Sequence, residues 1–325
     1  MTAPGLPERP RAFLCRRFTP AVEAALRERF ELDLNEDDSI LAPADMVRRA
    51  REAQVLFVTA TESVREDAFA RLPQLRAVAT LSVGHDHIDL AAARSAGVAV
   101  LHTPDVLSDA CADTAMMLLL NACRRALEGD ALVRSGAWRG WAPTQLLGMG
   151  LQGRMLGIFG MGRIGRAIAT RARGFGLQVH YHNRRALVPA LAGDAHWHPT
   201  LEGLLAASDI LVVAAPGAPE LRGVLDAQRL ALLPRGAVLV NISRGDLVDD
   251  GALIAALRSG QLRAAGLDVF ANEPDIHPGY RALPNVFLTP HIGSATEETR
   301  DAMGWLLIEG IEALARGDNP VNRLC

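Results

Sequence analysis

Met155-Leu156-Gly157-Ile158-Phe159-Gly160-Met161-Gly162-Arg163-Ile164-Gly165 decides the fold. Its first five residues read as a buried strand, and residues 164–173 carry a helical pattern, so the glycines fall at a strand-to-helix turn. That context is what a dinucleotide-binding fingerprint requires. Gly160 allows the tight turn, Gly162 lets the backbone approach a pyrophosphate, and Gly165 lets the helix pack on the strand. The helix start, at Arg163 and Ile164, offers N–H groups without intrahelical partners to the anion. A glycine-rich turn that binds nothing is the competing reading, and the flanking strand and helix weigh against it.

Outward from this stretch, strand-like runs recur at 177–182, 209–214, 237–241, 264–269 and 286–289. On the other side they occur at 11–15, 31–34, 54–58, 76–81 and 98–101. Amphipathic patterns separate most of them, including 20–29, 43–50, 64–70 and 89–95. This alternation predicts parallel sheets. The expected fold is α/β, with two Rossmann-like or flavodoxin-like doubly wound domains and a cleft between them. Residues 1–104 with 292–325 would form one domain and 105–291 the other. Residues 105–134 read as helical, and 115–120 is apolar all round, which predicts cover on more than one side, between domains or subunits. Residues 135–153, rich in glycine and holding Trp138 and Trp141, read as a connecting arm. Ser294 with Glu297 reads as a capping box for a last helix over 295–316.

The 325 residues are 49% hydrophobic and 22% charged, a balance that buries a core and excludes disorder, collagen and coiled coil. With 34 basic and 37 acidic residues the net charge is −3, so no positive field favours nucleic acid. Every basic residue is arginine, which excludes Schiff-base catalysis and a P-loop lysine. Cys15, Cys111, Cys123 and Cys325 lack CxxC or zinc-finger spacing and predict neither disulfide nor metal. Residues 1–17, broken by Pro4, Pro7 and Pro10, do not read as a signal peptide, and 115–120 is too short to span a membrane. A cytoplasmic protein without nucleic-acid or membrane partners is expected. His85-Asp86-His87-Ile88-Asp89 reads as a turn with Asp89 capping a helix rather than as a metal cluster, since adjacent loop residues seldom converge on an ion. His196 and His198 read as surface histidines.

Two further patterns carry chemistry. After 177–182 comes Asn183-Arg184-Arg185, where an NAD enzyme usually places an acid on the ribose hydroxyls. Two guanidiniums there suit a 2′-phosphate, so NADP(H) is preferred, with NAD(H) as the weaker alternative. Arg244, Glu273 and His291 each follow a strand-like run of the same unit, where doubly wound sheets bind ligands. Together they supply an anion clamp, a carboxylate orienter and a group that titrates near neutral pH.

With these residues in view, the chain resembles the D-isomer-specific 2-hydroxyacid dehydrogenases, most closely their glyoxylate/hydroxypyruvate reductase branch, also called D-glycerate dehydrogenases. The similarity runs through 82–89, 103–107, the Gly160 turn, 240–246, 266–270, 272–274 and 290–296. It implies NADPH-dependent reduction of a small 2-keto acid, glyoxylate or hydroxypyruvate, to the 2-hydroxy acid, with a homodimer as the expected assembly. His291 looks like the general acid and Glu273 like the carboxylate that stabilises its imidazolium. Arg244 looks like the clamp on the substrate carboxylate and carbonyl, and Val83 and Gly84 like backbone donors to that carboxylate. Asp268 corresponds to a position beside the nicotinamide, and Pro216, Ile242 and Gly293 to cofactor contacts. In the branch a tryptophan-bearing arm reaches the partner's site, which makes Trp141 a candidate pocket wall. Leu221 stands where the family often has threonine, and His85 where it often has tyrosine. The alternatives are a reductase for another keto acid such as 2-ketogluconate and a non-catalytic dinucleotide sensor. A formate dehydrogenase relative would carry glutamine where this chain has Glu273.

Overall fold

Strands of a parallel sheet are covered on both faces and so form continuous apolar runs. In the computed structural model, which describes residues 5–325, Val55–Val58 and Ile210–Val213 are buried at every position. Pro4 lies outside the described residues. The chain forms two units, one running up to Leu107 with Ala295–Cys325 added, the other Ser108–Ser294. Each junction falls three residues beyond the one drawn from sequence, at 107 and 294 rather than 104 and 291.

The first unit runs β1 (Arg11–Leu14), α1 (Pro20–Arg29), β2 (Glu31–Leu34), α2 (Pro43–Arg49), β3 (Val55–Val58), α3 (Glu66–Arg71), β4 (Ala77–Thr80), α4 (Leu90–Ser95) and β5 (Ala99–Leu101). Its sheet is parallel, in the order β2-β1-β3-β4-β5. Leu56, Val58, Val78 and Val100 fill one face with Met46 and Phe69. Asp89 caps α4, accepting from the Ala91 and Ala92 N–H groups at 3.0 and 2.9 Å, and satisfies donors the helix start leaves open. His87 Nε2 is 2.9 Å from Thr80 Oγ1 in the core.

The second unit opens with α5 (Ser108–Arg124) and α6 (Ala126–Arg134) and continues through β6 (Met155–Phe159), α7 (Arg163–Gly174), β7 (Gln178–His182), α8 (Pro189–Ala192), β8 (His196–Trp197), α9 (Leu201–Ala207) and β9 (Ile210–Val213). It closes with α10 (Ala227–Leu230), β10 (Ala237–Asn241), α11 (Asp250–Arg258), β11 (Leu262–Leu267) and β12 (Val286–Leu288). The parallel order is β12-β11-β10-β9-β6-β7-β8, so the chain reverses direction across the sheet between β6 and β9. That reversal opens the crevice in which such sheets hold ligands. A final helix, α12 (Glu297–Ala315), packs on α1 and β4 of the first unit.

Four expectations are corrected. The single helical stretch 105–134 is two helices, broken where Arg125 takes left-handed φ 54° without any glycine or proline to mark it. Its apolar segment packs inside the second unit, against α7, β10 and β11. His196 begins an unexpected edge strand, and His198 is no isolated surface residue: its Nε2 lies 2.9 Å from His180 Nδ1 and its N–H donates to Tyr181 O at 2.8 Å. Burial, together with the neighbouring imidazoles, holds both His180 and His198 below the ordinary histidine value. Thr296, not Ser294, caps α12, accepting from the Thr299 N–H at 3.2 Å. The reason is that the Asp268 carboxylate claims the Gly293 N–H and keeps 291–294 in the preceding loop. Among the described residues no helix is long and apolar enough to cross a membrane, and no group of three or more His, Cys, Asp or Glu is placed to hold a metal ion.

Candidate active site

Gly160 ends β6 at φ 101°, and a Cβ there would lie 2.4 Å from Ala215 N, so only glycine fits this turn. A Cβ on Gly165 would stand 2.4 Å from Gly160 O, which is the close helix-to-strand approach expected of that position. Gly162 is different: a Cβ would meet nothing within 4 Å and would project into the open space before α7. Arg163 and Ile164 begin that helix, whose first-turn N–H groups have no intrahelical acceptors. Arg184 and Arg185 are exposed beyond β7, and neither forms an ion pair among the described residues. Ser243 Oγ donates to Ala215 O, which ties the loop holding Ile242 to the loop holding Pro216. An open helix end, a backbone turn cleared of side chains and two exposed guanidiniums one strand away fit a nicotinamide dinucleotide.

The candidate acid–base residues lie on three loops that leave adjacent strands. Arg244 follows β10, Glu273 follows β11 and His291 follows β12. The first two loops touch closely, since a Cβ on Gly245 would fall 1.8 Å from Phe270 C. Arg244 is held by its own loop: NH1 donates to Ser243 O at 2.9 Å, and Asn241 Nδ2 donates to Arg244 O at 2.9 Å. Glu273 takes the Phe270 N–H on Oε1 and faces His291 Nδ1 with Oε2, both at 2.8 Å. Burial works against its charge, but the bond and charge of His291, the Phe270 N–H and the charge of Arg244 outweigh it. Glu273 is thereby held below the usual carboxylate range. With Nδ1 engaged, the imidazole has Nε2 left for other chemistry.

Asp268 explains how His291 is kept in place. Its side chain is buried, with Oδ1 accepting from Thr289 Oγ1 at 2.6 Å and the Ile292 N–H at 2.8 Å, and Oδ2 from the Gly293 N–H at 2.8 Å. The His291 N–H itself donates to Asp268 O at 2.8 Å, and the residue sits at φ 54°. One carboxylate thus grips the histidine loop from both sides of His291. Burial pushes the Asp268 carboxyl above the ordinary value, and the three donors and the His291 charge offset this in part. Thr114 Oγ1 adds a bond to Gly293 O at 3.3 Å.

The second unit therefore brings Arg244, Glu273, Asp268, His291 and Gly293 together on one set of strand ends. It places Gly160, Gly162, Gly165, Asn183, Pro216 and Ile242 on the neighbouring set. Val83 and Gly84 lie in the first unit, in the bend after β4, where Val83 O is 3.1 Å from His102 Nδ1. Trp141 is 81% exposed on the 135–153 segment. Sequence reasoning missed Thr289 and Ser243, which hold loops rather than carry chemistry. Ser243 beside Arg244 and Thr289 two residues before His291 were the available signal, and such hydroxyls are too common to single out.

The family model for the D-isomer specific 2-hydroxyacid dehydrogenase, NAD binding domain, matches residues 116–293. The chain is 40% identical over 324 residues to the glyoxylate reductase of Thermococcus onnurineus, covering 97% of this chain and 96% of that protein. It is 39% identical over 304 residues to the glycerate dehydrogenase of Hyphomicrobium methylovorum, covering 92% and 94%. In structure it is similar to the NADPH-dependent glyoxylate/hydroxypyruvate reductase of Sinorhizobium meliloti in complex with NADP and malonate. There the TM-score is 0.86 at 36% identity, with 98% of this chain and 97% of the other covered.

Proposed function

The chain belongs to the D-isomer specific 2-hydroxyacid dehydrogenases, in their glyoxylate/hydroxypyruvate reductase branch, and we propose that it reduces glyoxylate or hydroxypyruvate to glycolate or D-glycerate with NADPH as the preferred donor. The observation that carries this reading is the 2.8 Å contact between His291 Nδ1 and Glu273 Oε2, with the Arg244 charge felt at the same carboxylate.

Reduction of a keto acid puts negative charge on its C2 oxygen, and that charge needs a cation beside it and a proton at the end. The reduced nicotinamide, when bound, supplies the hydride. His291 donates its proton through Nε2, because Glu273 holds Nδ1 and fixes the ring. Glu273 remains ionised and so favours the protonated imidazole before transfer. Arg244 pairs its planar guanidinium with the substrate carboxylate and polarises the carbonyl.

The donor preference rests on Arg184 and Arg185, exposed and without an ion pair among the described residues, where an acid would repel a 2′-phosphate. The same proposal includes a cytoplasmic location, the four cysteines being free thiols. It also includes a homodimer. Helix α6 buries none of its residues, and Leu127, Val133, Trp138, Trp141 and Leu147 are exposed along it and the following segment, an apolar surface that a second copy would cover.

The test is a spectrophotometric screen of glyoxylate, hydroxypyruvate, pyruvate and 2-ketogluconate against NADPH and NADH. Fastest oxidation of NADPH by glyoxylate or hydroxypyruvate is expected. No turnover with any of the four acids, or clear preference for NADH, contradicts the proposal.

A further inference from the structure

Asn183 occupies the position after β7 from which an acid ordinarily reads the ribose hydroxyls, yet its side chain is turned to a different task. Oδ1 accepts the Met161 N–H at 2.7 Å, and Nδ2 donates to Met161 O at 3.4 Å. Met161 is the middle residue of the glycine turn, and its side chain is buried. One carboxamide thus pairs with both polar groups of a single residue's backbone, as a neighbouring strand would. Close by, the Gly160 N–H donates to His182 O at 3.1 Å. The turn between β6 and α7 is therefore tied to the end of β7 by three bonds, two of them from Asn183.

The other side of Asn183 is also fixed. Its carbonyl accepts the indole N–H of Trp197 at 3.3 Å, and Trp197 belongs to edge strand β8, which pairs with β7 at His180 and Tyr181. Backbone and side chain of this residue are both engaged within the protein. The chemistry also selects asparagine over aspartate: a carboxylate could accept from Met161 N–H but would set its second oxygen against Met161 O.

We propose that Asn183 is a positioning residue for the diphosphate-binding turn and not a reader of the 2′ position. Choice between the two nicotinamide dinucleotides then falls to Arg184 and Arg185 alone. This deepens the functional reading above and rests on it.

The experiment measures binding to the full-length protein by calorimetry with three probes: NADPH, NADH and adenosine 2′-monophosphate, which carries the 2′-phosphate but no diphosphate. Asn183→Ala is expected to weaken NADPH and NADH by the same factor, about tenfold for the two lost side-chain bonds to Met161, and to leave adenosine 2′-monophosphate unchanged. In steady state the KM for each dinucleotide rises while kcat holds. Asn183→Asp gains no NADH affinity over the native protein, because one oxygen stays committed to the Met161 N–H and the other is set against Met161 O. Arg184→Ala with Arg185→Ala shows the opposite pattern, losing NADPH and adenosine 2′-monophosphate together while NADH is kept. An unequal loss of the two dinucleotides in Asn183→Ala, or tighter NADH in Asn183→Asp, overturns the inference alone. A native protein that binds neither dinucleotide overturns the proposed function and the inference with it.

Discussion

Replacing Glu273 by glutamine keeps the size of the side chain and removes its charge, and the structure says what that costs. The carboxylate accepts two N–H groups at once, from Phe270 on Oε1 and from His291 Nδ1 on Oε2, each at 2.8 Å. Glutamine has one oxygen, so its NH2 group must face one of those donors. A hydrogen bond to a charged group contributes about 1.5–3 kcal/mol. The two side chains are 40% and 34% exposed, so solvent screens the pair and the lower end applies. About 1.5–2 kcal/mol corresponds to roughly a tenfold to thirtyfold loss of kcat/KM at neutral pH. The carboxylate is held below its usual range, so in the native enzyme it stays ionised well into acid. The advantage of the native enzyme over Glu273→Gln should be full at neutral pH and close as the pH falls through the lowered Glu273 value. The assay is NADPH oxidation with glyoxylate across the pH range, native against Glu273→Gln. Superimposable profiles would refute the coupling of Glu273 to proton transfer.

Other expectations follow from the same geometry. Arg184→Ala with Arg185→Ala should raise the KM for NADPH at least about tenfold and leave that for NADH nearly unchanged, since in the proposed complex each guanidinium makes a charge-assisted bond to the 2′-phosphate. Gly160→Ala should cost about 3 kcal/mol or more in a denaturant titration, because φ 101° and a backbone nitrogen 2.4 Å from the new Cβ leave no relaxed conformation. Glu23 is buried, and burial opposes its charge, but Arg17, the Phe18 N–H and Arg27 lower its value below the ordinary 4.5. Its contribution is therefore complete above the unfolded value and lost as pH falls through the lower folded one. Glu23→Gln should destabilise by roughly 2–3 kcal/mol at pH 7, and the gap from the native protein should close in acid; a gap independent of pH would contradict the pairing.

Much of the fold is readable in the chain because parallel strands such as β3 and β9 are apolar at every position and stand between amphipathic helices. What is not readable depends on tertiary partners. Strand β8 is two residues, a histidine and a tryptophan, ordered by pairing with β7 rather than by any run of its own. The break at Arg125 has no local signal, and the cap of α12 shifts from Ser294 to Thr296 because Asp268 reaches in from another loop. The candidate site divides in the same way. Arg244, Glu273 and His291 could be singled out because each follows a strand of one unit, and the strand ends of a doubly wound sheet face one crevice. The bonds by which Asp268 holds the histidine loop and Asn183 holds the glycine turn join residues about twenty positions apart, and no spacing rule reports them.

In the proposed mechanism His291, oriented by Glu273, delivers the proton to the reduced carbonyl. That step is tested most directly by measuring glyoxylate reduction by His291→Ala alongside its binding of NADPH. A fall in kcat of about a thousandfold with NADPH affinity retained is the predicted result. Native turnover from a protein without that imidazole would contradict it.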